Sequence, residues 1–127
     1  MDKILAEISA GELIDKITIL EIKKEKINNK QKLLEIEKEI ASLKEKIKKS
    51  ISDESKILSF KKDLKNINLK LWDIEDGKRS AEKNNKFDEK FIELARSVYK
   101  FNDERAKIKL AINNALGSNI KEVKSYE

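Results

Sequence analysis

The groups in this sequence that could do metal or acid–base chemistry are carboxylates. The chain contains no histidine and no cysteine, which removes the usual zinc ligands and the usual neutral-pH general base. Glu12 and Asp15 stand three apart, Glu21 and Glu25 four apart, and Asp73, Glu75 and Asp76 crowd one short stretch. Spacings of three and four place carboxylates on one helix face. Oxygen-only ligand sets of that kind suit Mg²⁺. One reading is therefore a small Mg²⁺-dependent hydrolase of phosphate esters or nucleotides. The pairs Glu12-x-x-Asp15 and Asp73-x-x-Asp76 echo such sites only loosely, and such spacings are common in a chain with 24 acidic residues. A motif match this short is a weak signal. The acids do not make the chain an enzyme by themselves, and the sequence calls for no cofactor and no metal.

The polar residues worth tracking are Glu21, Glu25, Asp73, Glu75, Asp76, Arg96, Tyr99, Asn102 and Arg105, with Glu12, Asp15 and Asp103 as neighbours in the same motifs. They form either a binding site or a buried polar layer. In the second case Arg96 pairs with Asp76 or Glu75, and Glu21 takes a nearby cation. Such layers fix helix register even where they add little stability. Trp72 is the only tryptophan. It could stack a ligand, but a lone tryptophan among heptad leucines more often packs at a core rim.

Charge offers a third reading. The net charge is +5. Residues 30–70 hold twelve lysines against seven acids, which equals the whole excess, while Arg79, Arg96 and Arg105 all lie outside. A basic helical hairpin could track a phosphate backbone. Interleaved glutamates and a single aromatic, Phe60, are instead the pattern of a solvated helical face.

These residues must be held by helices. There is no proline and only three glycines, so nothing forces long helices to break. Ser9 with Glu12 reads as a capping box, with Ile8 and Leu13 as its staple, opening a helix from about residue 10 to 27. Its apolar residues lie nearly all round, the mark of a helix with several neighbours. Asn28-Asn29 is a weak breaker. Leu33, Ile36, Ile40, Leu43 and Ile47 then form a three-four seam, and Ile57, Phe60, Leu64, Ile67, Leu71 and Ile74 form another. Asp53 caps between them. Asn84-Asn85 ends the third helix, Asp88 caps the fourth, and Gly117 stops it.

The fold class is all-α: a long antiparallel helical hairpin on a three-helix bundle base. It is a single domain, with the base at about 9–29 and 66–117, the hairpin at about 30–65 and a tail at 118–127. With turns near residues 51 and 86, positions summing to about 102 and about 172 face each other across antiparallel helices. The stretch Leu71–Asp76 then lies level with residues 26–31 and 96–101.

The strings SAGELIDKITILEIKKEKI, LWDIED, FIELARSVYKFNDERAKIK and GSNIKEVKSY resemble an uncharacterised family of small bacterial and phage proteins, a domain of unknown function. The likeness covers the first helix, the end of the third, and the fourth with its tail. Residues 30–65 share little beyond their pattern, and Val123 stands where the family has glutamate. The resemblance implies no activity.

The function is unknown from sequence. The leading expectation is a helical protein-interaction module that self-associates, as a homodimer through its base. Ile19 and Ile22 supply the patch, unless Ile120, Val123 and Tyr126 of the tail cover it. No apolar run approaches the roughly 20 residues of a membrane span, and no signal peptide opens the chain, so the expected location is cytoplasmic.

Overall fold

Ser9 begins the first helix as its type predicts. Its hydroxyl accepts the Glu12 N–H at 3.1 Å, and α1 runs Ala10–Lys26. The computed structural model describes residues 1–124 of the chain. Glu12 does not complete the capping box, because its carboxylate reaches Lys109 and Lys16 instead. The Asn28-Asn29 break is real. Asn29 accepts the Lys32 N–H at 3.0 Å and caps α2, Lys30–Ser50. Asp53 caps a short 3-10 turn, Glu54–Ile57, which leads into α3, Leu58–Lys83. Asn85 takes φ 52° as the chain leaves α3. Asp88 accepts the Phe91 N–H at 3.2 Å and opens α4, Glu89–Leu116. Gly117 ends α4 with φ 63°, a conformation that costs a Cβ-bearing residue strain. Phe87 meets Phe91 edge-on, with centroids 5.3 Å apart.

Among the described residues all regular structure is helical. Helix α1 is central and packs on α2, α3 and α4, as its nearly all-round apolar surface predicts. Leu13, Ile14, Ile17, Ile47, Ile57, Leu64 and Ile112 form the main core. Leu20, Ile36 and Ile40 form a second cluster. Full burial of each such side chain is worth about 1.5–3 kcal/mol.

Helices α3 and α4 form the longest antiparallel hairpin. Gly77 faces Leu94, and Lys70 lies 5.2 Å from the Phe101 ring centre, one residue from the expected register. The partner of α2 is the refinement. Its seam closes on α1 through Ile36, Ile40 and Leu20, while α3 packs on α1 and α4. A three-four seam fits any antiparallel neighbour, so periodicity alone does not select α3 over α1.

Two expectations about the base need correction. Ile22 is buried within one chain and Ile19 is half-buried, because α3 and α4 cover that side of α1. The tail does not do so: Ile120 is 40% and Val123 86% exposed. Tyr126 lies outside the described residues.

Candidate functional site

The interior polar junction centres on Asp15, which α1 points between α3 and α4. Asp15 is fully buried. Its Oδ1 accepts Asn68 Nδ2 and Arg105 Nε, each at 2.9 Å, and its Oδ2 accepts Arg105 Nη2. Asn68 Nδ2 also donates to Thr18 Oγ1 at 2.9 Å, and Thr18 donates to the Asp15 carbonyl at 2.8 Å. Three helices thus share one satisfied network, the condition under which buried polar groups are tolerated. The fork of hydrogen bonds it donates to Asp15 raises the Arg105 guanidinium above its ordinary value, against burial. The remaining Arg105 Nη1 donates to Asn102 Oδ1 at 3.3 Å.

One turn along, Lys109 is buried between Glu12 at 2.7 Å and Glu122 at 2.9 Å. Burial pushes the Lys109 ammonium down, but its hydrogen bonds to the two carboxylates hold it net above its ordinary value. Glu122 is lowered in turn, first by its hydrogen bond from Lys109. The α1 N-terminus seats against the same stretch of α4. The Gly11 N–H donates to Asn113 Oδ1 at 2.6 Å, and the Ala10 N–H to Ser118 Oγ at 3.1 Å.

Beside the Asp15 junction lies a groove of about 420 Å³ between α1, α3 and α4. Its apolar walls are Ile19, Ile22, Leu71, Trp72 and Val98. Its polar walls are Glu75, Asp76 and Arg79 on α3, facing Asn102 and Arg105 on α4, with Asn68 alongside. The volume suits a small molecule or one or two anchoring side chains.

Of the nine tracked residues, the groove gathers Glu75, Asp76, Asn102 and Arg105. The others go elsewhere. Glu21 and Glu25 share Lys65, at 3.6 and 2.8 Å, and Glu21 also takes Lys61 at 3.6 Å. Lys65 is raised, mainly by its bond to Glu25. Asp73 and Tyr99 are exposed. Arg96 is exposed too and forms no ion pair with Asp76 or Glu75; Glu75 pairs along its own helix with Lys78, at 3.4 Å. The buried layer exists, but with Arg105 and Asp15 as its pair. Asn68, Thr18, Lys109 and Arg79 stood outside the expected set. Asn68 had a visible signal, since it is a polar residue next to the α3 seam position Ile67. Among the described residues no three acids converge on one point.

The model of a family of unknown function (DUF6165) matches residues 4–127. No curated protein and no solved structure matches.

Proposed function

We propose that this chain, which belongs to that family of unknown function, is a helical interaction module whose recognition surface is the groove between α1, α3 and α4. The observation that carries the reading is convergence. Residues far apart in sequence, on three helices, supply one concave wall with an apolar floor and charged rims. The apolar floor fits a large aliphatic or aromatic anchor from a partner polypeptide. The acids Glu75 and Asp76 across from Arg79 and Arg105 orient it by charge, which sets specificity more than affinity.

The alternatives find less support. Dispersed carboxylates do not favour phosphoryl or nucleotide hydrolysis. The lysines of α2 are interleaved with glutamates, as in the Lys49–Glu45 pair at 2.9 Å, and Glu37 of α2 takes Lys24 of α1 at 3.8 Å, which does not favour a phosphate-binding stripe.

Trp72, the only tryptophan, lines the groove, so its emission reports occupancy directly. Proteins captured from the native host by the wild-type chain and by Asp76→Lys are compared by quantitative mass spectrometry. The partner lost from the variant is then purified and titrated against Trp72 emission. The reading predicts saturable binding by the wild type and at least tenfold weaker binding by Asp76→Lys. Equal capture by both chains, or saturable binding that leaves Trp72 emission unmoved, refutes it.

A further inference from the structure

The outer face of α4, away from the groove, has its own pattern. Ile92, Ala95, Tyr99, Ala106 and Leu110 recur at three, four, seven and four residues, with half-buried Asp103 at the step between Tyr99 and Ala106. Sustained over five turns, this is a heptad seam. The opposite face of α4 is already spent on α1 and α3 through Leu94, Phe101 and Ile112. The outer seam faces no other helix: Ile92 is 52%, Tyr99 57% and Leu110 43% exposed. A contiguous apolar stripe of this kind marks an interface.

The two ends of the stripe differ in shape. At its start Phe87 and Ile92 protrude. At its end Ala106 and Leu110, with Asn113 and the tail residue Glu122, line a concavity of about 400 Å³. A protrusion at one end and a hollow at the other are self-complementary under a two-fold axis that reverses the helix. The flanking charges agree. Glu93, Arg96, Glu104 and Lys107 are exposed on one edge of the seam, and none forms an ion pair among the described residues. An antiparallel copy centred near Lys100 places Arg96 opposite Glu104 and Glu93 opposite Lys107, because antiparallel helices align like flanks. It also brings Ile92 to within a turn of the hollow at Leu110. By symmetry each charge pair occurs twice.

We propose that a second copy of this chain packs antiparallel along α4, with Ile92 of each copy seated in the Ala106–Leu110 hollow of the other and Arg96 paired with Glu104 across the axis. Lys100 sits on the axis, where the two ammoniums splay toward the Glu104 residues. The proposal uses a face distinct from the groove and stands whether or not the groove binds a partner. It also moves self-association from the α1 patch, which α3 and α4 cover, to the outer face of α4.

The test is sedimentation equilibrium on the full chain, from about 5 to 300 µM, since a single helix pair lies at the small end of specific interfaces. The wild type is expected to reach dimer mass. Arg96→Glu or Glu104→Arg alone places like charges opposite each other twice and should weaken the dimer at least tenfold. The doubly swapped chain should return to within about threefold of wild type. An equimolar mixture of the two singly changed chains should dimerise where each alone does not. Ile92→Glu should be monomeric throughout. All three positions are exposed, and unchanged circular dichroism confirms that each variant folds. A wild type monomeric at every concentration overturns the proposal. So does a dimer indifferent to Arg96→Glu and Ile92→Glu, which would place the contact on another face.

Discussion

Splitting the Asp15–Arg105 pair should destabilise the fold asymmetrically, with the larger loss following removal of the arginine. The Asp15 side chain is 1% exposed and that of Arg105 28%. Arg105→Met strands a carboxylate that keeps only the amide of Asn68, so the cost should reach the upper part of the range for a broken buried pair, about 4–5 kcal/mol. Asp15→Ala strands a guanidinium that can turn partly toward water, while Asn68 keeps Thr18. That loss should be nearer 3 kcal/mol, the scale of hydrogen bonds to a charged group. Replacing both, as Asp15→Ala with Arg105→Met, removes the two charges together and leaves neither stranded, so the loss should fall well short of the sum of the single losses. The cycle should therefore show about 2 kcal/mol or more of favourable coupling between the two changes. Urea unfolding followed by circular dichroism and Trp72 emission measures all four proteins. Additive losses, or Asp15→Ala costing more than Arg105→Met, would refute the account of the junction as a desolvated pair with one wetter end.

Four further outcomes are expected. In thermal denaturation Gly11→Ala should lose about 3 kcal/mol, high in the overpacking range, because its Cβ would stand 2.4 Å from the Lys109 carbonyl oxygen. Gly77→Ala should be near neutral, since its Cβ meets only the flexible end of Leu94 at 3.0 Å and alanine suits a helix interior. The Glu122 carboxyl is held below its ordinary value by Lys109, so the unfolded chain takes the proton first. The contact should be intact at neutral pH and lost as pH falls through the ordinary glutamate range and below; amide exchange at residues 118–124 should then accelerate ahead of global unfolding, and unchanged exchange at pH 3.5 would count against it. Replacing Lys44, Lys46, Lys48 and Lys49 with glutamine should leave the melting temperature nearly unchanged, because all four are exposed and surface ion pairs contribute little.

Local chemistry was legible in the sequence, and long-range choice was not. Ser9, Asp53, Asp88 and Gly117 each act at the boundary where their types place them, because capping and left-handed stops depend on a few neighbouring residues. Register across the α3–α4 turn was legible to within a residue, since a short turn fixes it. Level along an axis is only half of a position. Arg96 and Arg105 lie nine residues apart, two and a half turns, so they face opposite sides of α4: Arg105 inward to Asp15, Arg96 outward to solvent. Arg96 is level with Asp76, but that rotation turns it away. Tyr99 and Asn102, three residues and only about 60° apart, sit either side of a boundary, Tyr99 on the outer stripe and Asn102 in the groove. The choice of α1 as the neighbour of α2 lay beyond pattern, because two seams of equal spacing compete for it.

The Asp15 junction links the fold to its candidate site. Arg105 fixes α4 against α1 with two of its nitrogens, and with the third it positions Asn102 on the groove wall. A change at Arg105 therefore disturbs stability and recognition together and cannot separate them. Asp76 and Arg79 line the same groove from the exposed side of α3 and form no ion pair among the described residues. Their charges do no visible work for the fold. Exposed charges without structural partners, gathered beside a tryptophan at the rim of a built cavity, are what a recognition surface requires. The outer stripe of α4 shows the same economy, with its unpaired charges set along an apolar seam. Both faces of α4 thus rest on one helix that the Asp15–Arg105 pair holds in rotation. A partner in the groove and a second copy on the outer face would each bind a surface whose orientation that pair sets.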